Sequence, residues 1–409
     1  MDSQRHFLFL QSVCSPFFQR LADRLSAAGH LVHKIHFNGG DVAYWRGHPA
    51  SSWRRGVEHL PAFLEQTMRT LGITDQILFG DQRPVHKPAV ALGRQLGIRT
   101  HVFEEGYFRP SWVTLERGGV NTCSHLPRDA DWYRRVGADL PDYGDGIAFD
   151  GAFFKRALHD VVYHVACSAD WLRFPGYRTH ATVSAAAEYI GFLRRSTKVR
   201  TQERSDAAVI AGLAADATPF YFLPLQLNSD AQIREHSSFA DMTEVMAFVM
   251  ASFAAHAPDD ARLVIKNHPL EMGASDYPQI IAQLQRRYAL EGRVDYLETG
   301  DLMILLKHAL GVVTVNSTVG GLSLQLGCPT ITLSDPIYNI AGLTFQGRLD
   351  DFWRAGALPD AALFRAFRNT VIHTTQVNGG FYSDAGITLA IDNSMRFLLP
   401  DRSPLESLL

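Results

Sequence analysis

The stretch that decides the fold is Val312-Val313-Thr314-Val315-Asn316-Ser317-Thr318-Val319-Gly320-Gly321. Its β-branched apolar run predicts a buried parallel strand, and the apolar spacing that follows predicts a helix. The first turn of a helix has free backbone N–H groups and a positive dipole end, so we expect Ser317 and Thr318 to bind an anion there. Gly320 and Gly321 would let a ligand approach the backbone closely. The alternative is that one hydroxyl only caps the helix.

Length and composition predict a soluble, two-domain protein. The chain has 409 residues, too many for one core, and it combines 46% hydrophobic with 20% charged residues. A net charge of -3 gives no support for nucleic-acid binding. The apolar run over 7–10 is too short for a signal sequence, and no stretch of about eighteen apolar residues occurs. We therefore expect a cytoplasmic protein without a membrane span.

The four cysteines show neither CxxC nor His/Cys spacing. They are Cys14, Cys123, Cys167 and Cys328. We therefore expect core or incidental thiols, no disulfide framework and no zinc site. Separately, we expect no other metal and no cofactor.

Strand and helix signals alternate in both halves of the chain, which predicts doubly wound parallel sheets. The first half has predicted strands over 7–10, 31–37, 76–79 and 99–103. A flexible polar turn over 38–41 would close the second of these. The second half has predicted strands over 220–223, 262–265, 294–297, 312–315 and 330–333.

These patterns predict an α/β protein of two facing Rossmann-like domains with a central helical segment. We expect an N-terminal acceptor and catalytic domain over 1–200, including a helical extension. A C-terminal nucleotide-sugar domain would cover 206–385, and a helix and loose tail over 386–409 could pack back on the first domain. The polar clusters follow strands, where open α/β sheets bind ligands, so we expect the site in a cleft between the domains.

The motifs of other nucleotide and hydrolase sites are absent. There is no GxGxxG after the first strand, no GxxxxGK[ST], no Gly-x-Ser-x-Gly and no acidic pair typical of a metal–diphosphate clamp. What remains is the carboxylate pair Glu104 and Glu105, then His268 before Pro269, and the two hydroxyls. The alternatives are a solvated turn for the carboxylates and a hydrogen-bonded loop histidine.

This set fits glycosyl transfer from a donor with a single phosphate. A helix N-terminus, two hydroxyls and a histidine can stabilise a monophosphate leaving group without a metal. A carboxylate then meets the oxocarbenium-like centre as nucleophile or as base. Two adjacent carboxylates with unlike pKa values would suit an acid/base division of labour.

The same three motifs resemble those of two-domain (GT-B type) transferases that use CMP-activated acidic sugars. Glu104-Glu105-Gly106, His268-Pro269 and Ser317-Thr318 match them in order. Longer stretches resemble the capsule polysaccharide biosynthesis/export family of the KpsS (LipB) type; they are the residues at 36–41, 79–84, 102–110, 112–116 and 338–344.

The resemblance implies transfer of Kdo, a carboxylated octulosonic acid, from CMP-Kdo with retention of the β configuration. The acceptor would be lyso-phosphatidylglycerol at the cytoplasmic face of the inner membrane. A partner transferase would extend the poly-Kdo linker for the capsule export complex. By motif, His268, Pro269, Ser317 and Thr318 would hold the CMP phosphate, and Glu104 and Glu105 would supply the catalytic carboxylates.

Further polar residues at strand ends suit such a donor and acceptor. Arg83 and Arg109 could pair with the Kdo carboxylate or a lipid phosphate. The remaining candidates are Asn38 and Asp41 for sugar or glycerol hydroxyls, Asp81 as a rival nucleophile, and Gln226, Lys266 and Asn316 for cytidine or phosphate.

Two alternatives and one membrane prediction remain open. The fold would also suit a sialyltransferase-like enzyme acting on CMP-sialic acid, or a non-catalytic glycolipid-binding component of a capsule export complex. The basic cluster from Arg194 to Arg204 predicts attraction to an anionic membrane surface, the alternative being a solvated linker face.

Overall fold

The fold is that of a computed structural model, which describes residues 4–150, 153–178, 185–215, 218–228, 233, 237–271 and 275–409. In chain order the strands are β1 (His6–Phe9), β2 (Leu31–His36), β3 (Ala50–Ser52), β4 (Asp75–Phe79), β5 (Arg99–Glu105), β6 (Trp112–Arg117), β7 (Phe220–Pro224), β8 (Arg262–Lys266), β9 (Val294–Leu297), β10 (Gly311–Thr314), β11 (Thr330–Thr332) and β12 (Gln376–Asn378). The helices are α1 (Phe17–Ala27), α2 (Gly39–Ala43), α3 (Leu60–Leu71), α4 (Lys87–Leu96), α5 (Ala130–Gly137), α6 (Phe153–Ala169), α7 (Ala185–Ala215), α8 (Met242–His256), α9 (Tyr277–Tyr288), α10 (Leu302–His308), α11 (Thr318–Gln325), α12 (Leu349–Ala355), α13 (Ala361–Thr375) and α14 (Asp384–Leu398).

The chain divides into two compact units, and each unit consists of more than one segment of the chain. Unit 1 consists of 1–126, 140–180 and 369–409, and unit 2 of 127–139 and 181–368. The division differs from the predicted domain limits at residues 200 and 385. Helix α7 belongs to unit 2, and the chain returns to unit 1 at residue 369, because β12 pairs with β6 there.

Unit 1 is built on a seven-stranded sheet of order β12-β6-β5-β4-β1-β2-β3. Strands β3, β2, β1, β4 and β5 pair parallel with their neighbours, as predicted. Strand β6 pairs antiparallel with β5, and β12 pairs antiparallel with β6. Successive residues of a strand point to opposite faces. In β1, Phe7 and Phe9 accordingly enter one apolar cluster, and Leu8 enters the cluster on the other face. Helices cover both faces, as in a doubly wound fold.

A buried ionic cluster lies at the amino end of this sheet. The Asp75 carboxylate is fully buried and accepts hydrogen bonds from Arg5, Arg99 and His101. Burial by itself would raise the pKa of Asp75, but the hydrogen bonds from His101 and Arg5 hold it well below its ordinary value. This cluster joins β1, β4 and β5 near their amino ends. The predicted site residues follow the opposite, carboxyl ends of strands.

The C-terminal residues are part of unit 1. Helix α14 packs on α1 through Ile387 and Ile391, which are buried in the same cluster as Phe17. The prediction of a loose C-terminal tail is wrong, because Leu405 is buried and the Arg117 guanidinium binds the Glu406 carboxylate at 2.8 Å.

Unit 2 is built on a five-stranded, all-parallel sheet of order β11-β10-β7-β8-β9. Its strands are apolar on both faces, as strands of parallel sheets are when helices cover both sides. Leu263 and Val313 point into one cluster, and Val264 and Val312 into the other. The prediction of two Rossmann-like α/β units is confirmed.

Two local predictions are corrected by the structure. The polar turn predicted over 38–41 is the start of α2, with Asn38 as its N-cap. Strand β5 extends through Glu104 and Glu105, which were predicted to follow it. In both cases a tertiary contact extends regular structure: α6 packs on α2, and β6 pairs with the last residues of β5.

Among the described residues, no helix is both long and apolar enough to cross a membrane.

Candidate functional site

In unit 2 the carboxyl ends of β10, β7 and β8 lie side by side. Each is followed by polar residues that the sequence singled out. Gln226 follows β7, and its Nε2 atom donates a hydrogen bond to the side-chain oxygen Oδ1 of Asn316 at 2.9 Å. The Asn316 backbone N–H donates back to Gln226 Oε1 at 3.3 Å. The structure therefore brings these two predicted residues together as an amide pair.

Ser317 and Thr318 begin α11, as predicted. Ser317 is the N-cap, and its Oγ accepts a hydrogen bond from the Val319 backbone N–H at 3.2 Å. An accepting hydroxyl keeps its own proton for donation, so capping and anion binding are compatible for Ser317. Thr318 is the first residue of the helix and is exposed. The positive end of the helix dipole and these hydroxyls lie at one point.

The prediction that Gly320 admits a ligand is corrected. A Cβ at Gly320 would lie 2.3 Å from the Tyr338 hydroxyl, so the missing side chain makes room for this buried tyrosine. The hydroxyl of Tyr338 donates to the Ser317 carbonyl oxygen at 2.6 Å. Tyr338 therefore holds the backbone of the N-cap residue Ser317 in place. At Gly321 a Cβ would meet nothing within 4 Å.

His268 follows β8 and is partly exposed, and Pro269 beside it is exposed. The His268 Nδ1 atom accepts the Leu270 backbone N–H at 3.1 Å. An accepting Nδ1 places the hydrogen of the neutral ring on Nε2, which makes Nε2 a donor. This tautomer suits the predicted contact with a phosphate oxygen.

A chain of hydrogen bonds between buried polar groups holds the backbone of His268 in place. Asn267 Oδ1 accepts the His268 backbone N–H at 2.8 Å, and Asn267 Nδ2 donates to Glu298 Oε1 at 3.1 Å. The Glu298 backbone N–H donates in turn to the Asp206 carboxylate at 3.0 Å. Asn267, Glu298 and Asp206 were not predicted from the sequence. The position of Asn267 directly before His268, and of Glu298 directly after β9, was the available signal for the first two.

Lys266, the last residue of β8, is buried. Its Nζ atom donates to the Asn267 carbonyl oxygen at 3.3 Å. The ammonium group therefore lies inside the unit at the level of the strand ends, close to the residues predicted to bind a phosphate.

In unit 1 the predicted pair Glu104 and Glu105 is split across the sheet. Both belong to β5, so their side chains point to opposite faces. A Cβ at Gly80 would lie 3.1 Å from Glu104 Oε2, so Glu104 lies beside the end of β4. The two carboxylates do not form one acid/base pair in this structure, because the strand alternates its side chains.

Glu105 lies beside two residues that the sequence analysis missed. Its Oε1 atom is 3.8 Å from the guanidinium of Arg156 in α6, and that guanidinium stacks 4.8 Å from the ring centre of Tyr382. Burial, followed by the Glu105 carboxylate, raises the pKa of the Tyr382 hydroxyl. The glycines at 379 and 380 before Tyr382 were a weak signal of a structured loop.

Arg83 lies close to the same end of the sheet. Its Nη1 atom donates to the Ser12 carbonyl oxygen at 3.0 Å, and its guanidinium lies 5.2 Å from the Phe79 ring centre. Burial and the Asp160 carboxylate raise the pKa of the nearby Cys14 thiol to about 12, so this thiol is not ionised at neutral pH. Arg109 is exposed in the loop after β5.

Asn38 and Asp41 are buried and hold α2 in place. Asn38 Oδ1 accepts the Asp41 N–H at 2.9 Å, and Asn38 Nδ2 donates to the Tyr163 hydroxyl at 2.9 Å. Burial raises the pKa of Asp41, and the Lys34 ammonium 3.7 Å away opposes that shift. At 2% and 1% exposure, these side chains support the site and are not surface groups for a sugar.

Asp81, the rival nucleophile, is also buried. Its Oδ2 atom accepts the Val120 backbone N–H at 3.3 Å, and it contacts Cys123 as well. The carboxylate thus holds the loop after β6, which leaves Glu105 as the more accessible candidate of the two.

The basic cluster from Arg194 to Arg204 lies in α7. The side chains of Arg194, Arg195, Lys198 and Arg200 are outside the described residues, and Arg204 is exposed.

Fold and strand-end residues together define an α/β protein with two Rossmann-like units and polar groups at the carboxyl ends of parallel strands. The model of the capsule polysaccharide biosynthesis protein family matches residues 74–382. The chain belongs to that family.

Similar proteins agree with this assignment over nearly the whole chain. The capsule polysaccharide export protein KpsS of Escherichia coli is 35% identical over 382 residues, 93% of this chain and 97% of that protein. The capsule polysaccharide modification protein LipB of Neisseria meningitidis serogroup A is 34% identical over 390 residues, 94% of this chain and 93% of that protein.

Among solved structures, the β-Kdo 2,7 transferase KpsC of Thermosulfurimonas dismutans overlays with a TM-score of 0.41 and 14% identity, covering 89% of each chain. This likeness is too distant to assign an activity.

Proposed function

We propose that this protein is a GT-B type glycosyltransferase that transfers β-Kdo from CMP-Kdo to a glycerophospholipid, such as lyso-phosphatidylglycerol, during capsule biosynthesis. Membership of the capsule family and the two similar capsule proteins support the pathway. The observation that carries the proposal is the alignment of three strand ends in unit 2, where amides, hydroxyls and a histidine lie together.

Unit 2 binds the donor in this proposal. The Ser317 hydroxyl proton, the Thr318 hydroxyl and the first turn of α11 donate to the phosphate, and His268 Nε2–H donates from the neighbouring strand end. Gln226 and Asn316 present their amides to the cytosine base. Lys266, buried at the end of β8, adds a positive charge, so protein groups balance the charge of the monophosphate.

Unit 1 supplies the carboxylate. The bond between the anomeric carbon of Kdo and the phosphate oxygen breaks, and its electron pair leaves with CMP. The Glu105 carboxylate attacks the resulting oxocarbenium-like carbon. The acceptor hydroxyl then forms the new bond as Glu105 is released, and the hydroxyl proton passes to a phosphate oxygen of CMP. Retention of configuration follows when Glu105 first forms a covalent glycosyl ester that the acceptor then displaces. Arg156 and Arg83 attract the Kdo carboxylate or the lipid phosphate.

The product would then pass to a second transferase that extends the Kdo linker, and to the capsule export complex. In this proposal the protein acts peripherally at the inner face of the inner membrane. Both statements extend the proposal and depend on the acceptor being a lipid.

A donor panel tests the proposal. The purified full chain is incubated with lyso-phosphatidylglycerol and either CMP-Kdo or CMP-sialic acid, and the released CMP and the glycolipid product are measured. We expect turnover of CMP-Kdo alone. Turnover of CMP-sialic acid instead would assign the second donor, and no turnover of either would favour a non-catalytic component.

Replacement of one histidine tests the donor site. His268→Ala should raise the KM for the donor roughly 10- to 100-fold, since a hydrogen bond to a charged phosphate is lost. His308→Ala, an exposed histidine at the end of α10, is the matched control and should leave the KM unchanged. Equal donor KM values for both variants would remove His268 from the site.

A further inference from the structure

Helix α6 and the turn that follows it at Trp171 and Leu172 expose large apolar side chains. Phe154, Leu158, Val165, Trp171 and Leu172 have exposed fractions of 86%, 62%, 61%, 65% and 74%, and Val161 and Val162 are each 41% exposed. These seven residues are called the α6 surface below. Apolar side chains exposed singly are ordinary, but a contiguous set on one element marks an interaction site.

The α6 surface lies opposite the face by which the helix is attached to unit 1. Residues 154, 158, 161 and 165 recur at intervals of four, three and four, which places them on one side of a helix. The other side carries Tyr163, which is buried, and Ala166. A Cβ at Gly39 would lie 2.2 Å from the Ala166 carbonyl oxygen, so that side packs closely on α2. The helix is therefore held in the fold by one face and displays a second apolar face.

Cations border the α6 surface at both ends. Lys155 and Arg156 lie in the first turn of helix α6 and are exposed. Arg173 and Arg178 are exposed at the other end, and the Arg54 carbonyl oxygen accepts the Gly176 N–H at 3.1 Å there.

Arg54 and Arg55 are exposed as well and add two guanidinium groups to that end. The nearby carboxylates are fewer. Asp170 lies 3.6 Å from Arg173, Asp384 lies 2.9 Å from Lys155, Glu105 lies 3.8 Å from Arg156, and Asp160 lies in α6 itself, 3.6 Å from His164. The cations around the α6 surface therefore outnumber the carboxylates. Aromatic and aliphatic residues on one side of a helix with arginine and lysine at its margins are typical of helices that lie in a bilayer interface.

We propose that the α6 surface docks on an anionic lipid bilayer. The proposal rests on the proposed function, because Arg156 joins α6 to Glu105 and so places the acidic end of β5 beside this surface. A lipid acceptor could keep its acyl chain in the bilayer while its headgroup reaches the carboxylate. The apolar row supplies the insertion, and the arginines supply attraction to negative headgroups.

Sedimentation with vesicles tests the docking directly. The full chain is mixed with vesicles of phosphatidylglycerol and phosphatidylcholine, and with vesicles of phosphatidylcholine alone. We expect binding to the anionic vesicles that weakens with salt, because the charge contribution is screened. Leu158→Gln/Val165→Gln should weaken that binding by roughly tenfold or more, since two inserted apolar groups are lost.

The matched control is Leu358→Gln, which changes a leucine of unit 2 that is 76% exposed and should not alter vesicle binding. Equal binding of the wild type, the double variant and the control would overturn the proposal. So would a wild-type dimer that the double variant abolishes while vesicle binding stays unchanged, because a second copy would then cover the α6 surface. Circular dichroism verifies that the exposed substitutions leave the fold intact.

Activity on two acceptors separates this proposal from the proposed function. The double variant should transfer to a water-soluble, short-chain acceptor at the wild-type rate and lose transfer to acceptor embedded in vesicles. Vesicle binding without any transfer by the wild type would contradict the proposed function and leave the docking surface supported. Equal transfer from vesicles by both proteins would contradict the docking.

Discussion

The carboxyl ends of the two sheets carry different chemistry. In unit 1 the side chains there are ionisable: Glu105, Arg156 and Arg83, with the buried pair Lys34 and Asp41 behind them. In unit 2 they are mostly neutral amides and hydroxyls. Gln226, Asn316 and Ser317 hydrogen-bond to one another or to the backbone, His268 accepts a hydrogen bond as a neutral ring, and Lys266 carries the positive charge.

Under the proposed function, this difference assigns the leaving group to one sheet and the bond-forming carboxylate to the other. Fixed dipoles and hydroxyls stabilise a phosphate without binding it through a strong ion pair, which suits a leaving group that must form and then depart. A carboxylate beside arginines suits bond formation at a carbon that becomes positive. The predictions below test how the two units differ, beginning with the largest effect.

Glu105→Gln should lower kcat roughly 10²- to 10⁴-fold, since the carboxylate is replaced by a neutral group of the same size. Donor affinity should be unchanged, because in the proposed function unit 2 binds the donor. Single-turnover kinetics and calorimetry with CMP measure the two quantities.

Glu104→Gln is the control, since Glu104 points to the opposite face of β5. Its kcat should fall far less. A larger loss for Glu104→Gln than for Glu105→Gln would reverse our choice of carboxylate, and a search by mass spectrometry for a glycosylated glutamate would locate the nucleophile.

Asp75→Asn should lower the free energy of unfolding by roughly 3–5 kcal/mol, because Arg5 and His101 lose a buried partner. Urea unfolding followed by circular dichroism measures this loss. Asp295→Asn in unit 2 breaks the partly exposed pair with Arg262 and should cost only about 1 kcal/mol or less. Equal losses would show that unit 1 does not depend on its buried charges.

Acid should affect unit 1 through the same group. The folded-state pKa of Asp75 is depressed, so its contribution is fully present above its ordinary pKa of 3.8 and is lost as the pH falls toward the lower folded value. Asp75→Asn should flatten the dependence of stability on pH in that window. An unchanged slope in the variant would contradict the assignment.

Ser317→Ala should cost about 1 kcal/mol of stability, since the N-cap of α11 is lost, and should weaken donor binding severalfold. Ser317→Asp keeps a capping oxygen but places a negative charge beside the phosphate. It should therefore restore stability while weakening donor binding further. Normal donor binding in both variants would reduce Ser317 to a cap.

Local pattern predicted much of the fold. The strand over 312–315 and the helix after it appear as β10 and α11, and the alternation in both halves produced the two Rossmann-like units. Strands of a parallel sheet are buried on both faces, so their apolar runs are visible in the sequence. The places of His268, Ser317, Gln226 and Asn316 at strand ends followed from the same signal.

Contacts between distant segments could not be predicted in this way. The alternation within β5 separated Glu104 from Glu105 only because β6 pairs along it, and Asn38 and Asp41 are buried because α6 covers α2. Arg156 and Tyr382 reach Glu105 from segments about 50 and 280 residues away in the chain.

The sequence by itself determined which residues end buried strands, since apolar runs and the turns after them are local properties of the chain. Only the tertiary structure decided which of those residues share a face and which are enclosed, because pairing and helix packing depend on segments far apart in sequence. That is why the sequence named Glu105 but only the fold separated it from Glu104 and supplied Arg156 and Tyr382.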